Sequence, residues 1–195
     1  MFHPLQLDNI VHHTLDIAVT CKCGWKGENI NARIDDSTKR YIIQGSGTIV
    51  GSCALECDTA TWEVKVGANP QGIRIGVKRI TKRKNEESTL SGYLDDAANL
   101  APEQISWYLK NPELKEGDVV GVYWDQTDFP MLNFSLNGKL LPDSSVNRIR
   151  PSQDIYPAVS IQSGSSCEFG FDEDSFVYPP VVSKFKGIVC ATSLI

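Results

Sequence analysis

The sequence predicts an all-β fold, an antiparallel sandwich of two packed sheets, on three observations. Apolar residues recur at every second position through most of the chain, the period of a strand with one buried face. Helix signals are poor, because the best window, residues 95–110, contains Pro102 and runs into Pro112, which limit it to a turn or two. Ten prolines and fifteen glycines cut the chain into short runs, and short strands with turns spaced roughly every 8–12 residues are the pattern of a sandwich.

Taken in order, the first strands are expected over 11–20 and 40–44. In 61–67, Trp62, Val64 and Val66 share one face and Thr61, Glu63 and Lys65 the other, a half-buried antiparallel strand. A short strand follows at 72–77. The stretch 78–104 has no firm strand and is too long for a plain connection, which marks it as either a functional loop or a mobile one. Residues 119–124 and 155–161 are apolar on both faces, as central strands of a two-layer stack are. In 131–137, Leu132, Phe134 and Leu136 point in and Asn133, Ser135 and Asn137 out. Asn137-Gly138 then supplies the two positive-φ positions of a two-residue hairpin turn. Cys167, Phe169 and Phe171 alternate with Glu168, Gly170 and Asp172 to form the last strand. Trp107 and Trp124 read as core side chains.

A chain of 195 residues is long enough to bury a core without disulfides or metal. No linker divides it, so a single domain is expected over 1–195, with 1–44 as N-terminal strands and 181–195 as a C-terminal extension. The longest apolar runs are only a few residues, well short of the ~20 needed to cross a bilayer as a helix. The first residues carry no basic segment followed by an apolar one, which speaks against a secretory leader and for the cytoplasm, with thiols reduced. A net charge of −5 disfavours nucleic-acid and anionic-membrane partners. The basic cluster at 78–84 could read as a nuclear address or a phosphate patch. It lacks interleaved aromatics and runs straight into Glu86 and Glu87, so a solvated loop is the better reading. Cys21, Cys23, Cys53 and Cys57 could offer four thiolates to zinc, but their spacing departs from the usual C-x2-C knuckle. They are taken as buried or idle thiols, and no cofactor or metal is expected.

An enzyme would need chemistry this sequence supplies poorly. Its three histidines stand together near the N-terminus, away from any nucleophile motif. The one dense acidic group, Asp172, Glu173 and Asp174, follows a strand, where neighbouring residues alternate faces or turn, whereas a glycosidase needs two carboxylates held across a cleft. No catalytic residue is assigned.

The strands carry landmarks in a fixed order. They are Gly51 with Ala54-Leu55; Trp62-Glu63-Val64-Lys65-Val66; Arg74-Ile75-Gly76-Val77; and Ser106-Trp107. Gly117-Asp118-Val119-Val120-Gly121-Val122 with Asp125 follows, then Phe134 to Lys139, Tyr156-Pro157-Ala158-Val159, Phe169-Gly170-Phe171, and Phe176 with Tyr178-Pro179-Pro180. This order resembles the SPRY domain over residues 45–180. Leu7-Asp8 and 14–17 are similar to small stand-alone members of the family, the type-seven-like group, so one domain would take nearly the whole chain. The resemblance implies a bent, concanavalin-like β-sandwich that binds proteins or peptides through loops at one end and is not catalytic.

The loops are therefore the candidate site. Tyr93, in Ser91-Gly92-Tyr93, resembles the Gly-Tyr that lines the pocket of peptide-binding SPRY proteins with a suppressor-of-cytokine-signalling box. Phe129 sits in a polar turn beside Pro130, where an aromatic has less reason to be buried; it reads either as a recognition anchor or as a ring folded over the sheet edge. Gln162, Ser163 and Gly164, with Ser165, are read as a loop joining two strands, and the corresponding loop of those relatives contributes backbone contacts. Arg79 is a candidate partner for an acidic ligand residue. The expectation is a monomeric, non-catalytic module holding a short peptide in a pocket of Tyr93, Phe129 and the 162–165 loop. The alternatives are a structural subunit that binds a partner along a sheet face, or a carbohydrate-acting enzyme on a similar sandwich.

Overall fold

A computed structural model describes residues 12–14, 17–19, 30–51, 54–79, 106–109, 113–147, 149 and 155–191, with side chains over 30–51, 54–79, 109, 113–147, 149 and 155–188. Its strands are β1 (His12–Thr14), β2 (Ile17–Val19), β3 (Asn31–Asp35), β4 (Arg40–Gly51), β5 (Thr59–Val66), β6 (Ile73–Arg79), β7 (Ser106–Tyr108), β8 (Val119–Asp125), β9 (Met131–Leu136), β10 (Lys139–Leu140), β11 (Ile155–Gly170) and β12 (Val189–Ala191). The strands pair antiparallel, and ten of them form one continuous sheet.

That sheet is folded into two layers because two long strands belong to both. The first layer runs β10-β9-β8-β5, then the C-terminal half of β11, the N-terminal half of β4, and β3. The second runs β7-β6, then the N-terminal half of β11, the C-terminal half of β4, and β2. The crease lies where the β4–β11 ladder slips between Ile161 and Ser165. Opposite the slip, Gly45 and Gly47 take φ of 109° and 152°, conformations side chains disfavour.

The crease corrects two sequence expectations. Residues 155–161 and 167–171 are not two strands joined by a loop. Both halves pair with β4, so the chain never reverses, and Gln162, Ser163 and Gly164 form an exposed bulge within β11. For the same reason the strand begun at Arg40 does not stop at Gln44 but bends through Gly45-Ser46-Gly47 to Gly51. The N-terminal strand appears as two short ones, β1 and β2. β1 pairs with β12, so part of the segment taken as an extension joins the fold. Sequence periodicity gave no sign of β3.

The core lies between the layers. Trp62, Val64, Val122, Trp124, Leu132 and Phe134 from the first face Ile75, Val77 and Ile155 from the second, and all are almost fully buried. Each large apolar side chain moved from water contributes about 1.5–3 kcal/mol. Trp124 is core, as its pattern predicts; Trp107 sits opposite Val77 in the β6–β7 ladder, its side chain outside the described residues. Cys167 is also core, and burial pushes its thiol far above the usual cysteine range. The hairpin turn at Asn137-Gly138 forms as expected, with φ of 50° and 76° and Lys139 paired to Leu136.

Candidate interaction surfaces

The outward face of the first layer carries Arg40 and Ile42 from β4, Thr61, Glu63 and Lys65 from β5, Tyr123 and Asp125 from β8, and Asn133 and Ser135 from β9. Alternation alone makes this a solvated face. Instead Arg40, Thr61, Glu63 and Ser135 are each no more than 3% exposed, because residues 172–188 cross over them as a strap.

A buried ion pair seats the strap. Arg40 Nη1 donates to Glu63 Oε2 at 3.1 Å and to the Ser175 carbonyl at 2.6 Å. The guanidinium fits because residue 170 is glycine: a Cβ there would stand 3.2 Å from Arg40 Nη1 and 2.8 Å from Ser175 Oγ. The Glu63 carboxylate in turn accepts from the backbone N–H groups of Val177 at 2.7 Å and Tyr178 at 3.0 Å. Further along, the Val181 N–H donates to Tyr123 Oη at 3.4 Å, and the Phe185 ring meets Tyr123 edge-on at 5.2 Å. The Thr61 N–H donates to the Lys186 carbonyl at 2.8 Å. Two of the three acidic residues weighed for catalysis are engaged here. Asp172 Oδ1 caps the Asp174 N–H, and Glu173 Oε1 accepts from the Gly187 N–H. Among the described residues, no three His, Cys, Asp or Glu side chains are placed to hold a metal ion; Cys21, Cys23 and Cys53 lie outside them, and Cys57 is exposed.

The end of the sandwich where β8 turns into β9 is built the opposite way. Asp125 Oδ1 accepts from the backbone N–H and hydroxyl of Thr127, at 3.0 and 2.7 Å, while Lys184 Nζ reaches Oδ2 at 2.5 Å. Burial alone would raise the Asp125 pKa, but the hydrogen bonds from Lys184 and Thr127 outweigh it and hold the carboxyl below its ordinary 3.8. The Gln126 N–H donates to the Asp58 carbonyl and its side-chain amide to the Cys57 carbonyl, both at 2.8 Å. The Ile149 N–H donates to the Pro130 carbonyl at 3.3 Å. The turn is thus tied on both sides, and it holds Phe129 outward at 77% exposure.

The predicted site residues divide between two places. Arg79 ends β6 opposite Ile155, whose carbonyl accepts from the Leu55 N–H. Residues 54–58 then lead to Thr59, the partner of Asp125. Arg79, half-buried, and Phe129 therefore flank one segment at one end of the molecule. The chain leaves this end after Arg79 and returns at Ser106, which pairs with Lys78; Tyr93, between them, lies outside the described residues. Gln162, Ser163 and Gly164 are at the crease, beside Val66 at the far end of β5. That is roughly 23 Å from the Phe129 end at 3.3 Å per residue, so they do not share a pocket with Phe129. Asn69 Nδ2 reaches the Ser163 carbonyl at 3.4 Å and Ser165 Oγ at 3.1 Å, holding the bulge against the β5–β6 turn. Sequence reasoning missed Arg40 and Glu63 as organising residues. The one available signal was the pairing of Glu63 with a Phe176…Tyr178-Pro179-Pro180 landmark far along the chain, and it gives no contact.

A profile of the SPRY domain matches residues 59–174, more than half of the chain. Among solved structures, the chain is similar to the neuralized-nhr1 domain of Drosophila melanogaster, with a TM-score of 0.50 and 14% identity over 80% of this chain and 98% of that one. It is also similar to a human SPRY domain, with a TM-score of 0.46 and 15% identity over 73% and 96% of the two chains. The SPRY domain of human HERC1 gives 0.45 and 15%, over 73% and 97%.

Proposed function

Since the chain belongs to the SPRY domain family, whose members are generally protein-interaction modules, we propose that it binds a short peptide or loop of a partner protein, without catalysis, through the end of the sandwich that carries Phe129. The observation that carries this reading is a large aromatic ring displayed at 77% exposure on a turn locked by six hydrogen bonds and ion contacts to its base. Burying an apolar ring is the usual source of hot-spot energy, and a base that is already ordered pays little entropy on binding. Tyr93 belongs to the chain that departs from and returns to this end and is its second candidate contact. Arg79, at the margin, is the candidate partner for an acidic ligand residue. The bulge Gln162–Gly164 is left out of this site by its distance.

Affinity capture with wild type, Phe129→Ala and Tyr93→Ala tests the assignment. The expected result is a partner retained by wild type and lost with Phe129→Ala, while both variants unfold at the wild-type urea midpoint. Identical partner sets for all three chains reject the loop end as the binding surface.

A further inference from the structure

Among the described residues, exposed apolar side chains concentrate away from the loop end. Seven large hydrophobic side chains are exposed among the described residues, and five of them, Leu140, Val177, Tyr178, Val181 and Val182, lie on the strap or on β10. Such residues scattered singly mean nothing, but a contiguous patch marks a surface that something covers. Between the strap and β10 runs a groove of about 290 Å3. Tyr123 and Asn133 floor it, Leu140 and Leu141 wall one side, and Val182 and Phe185 wall the other.

We propose that this groove is a second docking site, on the sheet face rather than the loop end, and that its occupant is an extended, uncharged, apolar segment of a partner polypeptide. Three features select that chemistry. Among the described residues no charged side chain lines the groove, and against that lining a charged ligand residue would lose its hydration without compensation. The volume sits at the lower edge of the roughly 300–1,000 Å3 range of small-molecule pockets and suits one or two aliphatic side chains. Asn133 provides a grip for a peptide main chain: its Oδ1 accepts from Ser145 Oγ at 2.6 Å, which fixes the amide plane, and its Nδ2 is the end of that amide able to donate to a ligand carbonyl.

The molecule also displays the template. The adjoining part of the same face is already covered by Val177-Tyr178-Pro179-Pro180-Val181-Val182, an apolar, uncharged stretch whose main-chain N–H groups bond to side-chain acceptors of the sheet. A partner segment in the groove would extend that layer across β9. This site shares no residue with the Phe129 surface, so either can fail alone.

A randomised peptide library displayed on phage, selected against the full chain carrying Phe129→Ala so that binders of the loop end are removed, tests the proposal. The expected winners carry an uncharged core of Val, Leu, Ile or Pro. Their affinity should fall by about tenfold or more, the loss of roughly one buried aliphatic contact, in a Leu140→Asp/Val182→Asp variant. Affinity should persist in a Leu140→Met/Val182→Ile variant and in an Ile34→Asp control that removes exposed apolar surface elsewhere. Because Leu140 and Val182 are 44% and 39% exposed, the aspartate variant should fold, and its urea midpoint checks this. Charged winners, winners bound equally well by the aspartate variant, or a library without winners would each overturn the proposal. So would sedimentation showing that wild type self-associates and the aspartate variant does not, which would assign the groove to a second copy.

Discussion

Beneath the strap, Arg40 and Glu63 are 3% exposed and their hydrogen bonds run to the strap's own backbone. At the loop end, Asp125 and Gln126 are as fully engaged, yet what they support is a Phe129 ring left in water. Both regions grow from β5 and β8, and both spend polar side chains on ordering a non-repetitive segment. The difference lies in what the ordered segment then does. The strap turns its polar groups inward and closes a face; the β8–β9 turn does so and presents an apolar side chain. Perturbing the first should therefore cost stability, and perturbing the second should cost binding.

The largest effect expected is from Glu63→Ala. It leaves the buried Arg40 guanidinium with only the partly exposed Glu168 carboxylate, 3.6 Å from Nε, and two strap N–H groups without their acceptor, and should cost about 3–5 kcal/mol in urea unfolding. Adding Arg40→Met should recover only part of this, because the Val177 and Tyr178 N–H groups stay unpaired; full recovery would mean that the strap contacts contribute nothing. Gly170→Ala presses a methyl between Arg40 and Ser175 and should cost about 1–3 kcal/mol. A neutral result would show that the guanidinium has room to move. Gly138→Ala should cost about 1–2 kcal/mol, since φ is 76° and the new Cβ would meet the Tyr178 ring at 3.0 Å.

Asp125 sharpens the contrast through pH. Its pKa is lower in the folded chain, so as pH falls the unfolded chain takes up the proton first. The stabilisation is complete above the unfolded value of about 3.9 and disappears as pH falls through the lower folded value. Asp125→Asn should therefore flatten the acid limb of the stability curve below about pH 4, and an unchanged limb would remove Lys184 and Thr127 as its cause. The smallest effect belongs to Phe129→Ala, which should shift stability by no more than about 0.5 kcal/mol while abolishing capture at the loop end.

Much of this architecture was legible in local pattern. Trp62-Glu63-Val64-Lys65-Val66 showed which residues face the core, and Asn137-Gly138 showed where a hairpin closes, because alternation and positive φ are properties of a few adjacent residues. Phe129 stood out for a similar reason, as an aromatic in a polar turn. The bulge at Gln162–Gly164 was misread because Gln-Ser-Gly-Ser looks the same whether the chain reverses or merely slips its register; only pairing of both flanks with β4 tells the two apart.

From sequence alone, this protein's strand periodicity, its two-layer core and its family pattern were determined, since each rests on side chains arranged along a single strand or turn. Tertiary structure decided which outward-facing residues meet water. Arg40 and Ser175 are 135 positions apart, and Thr61, Glu63 and Ser135 change from a solvated face to a sealed one only when the strap arrives. Burial of an outward face depends on what crosses it, and no local period encodes that.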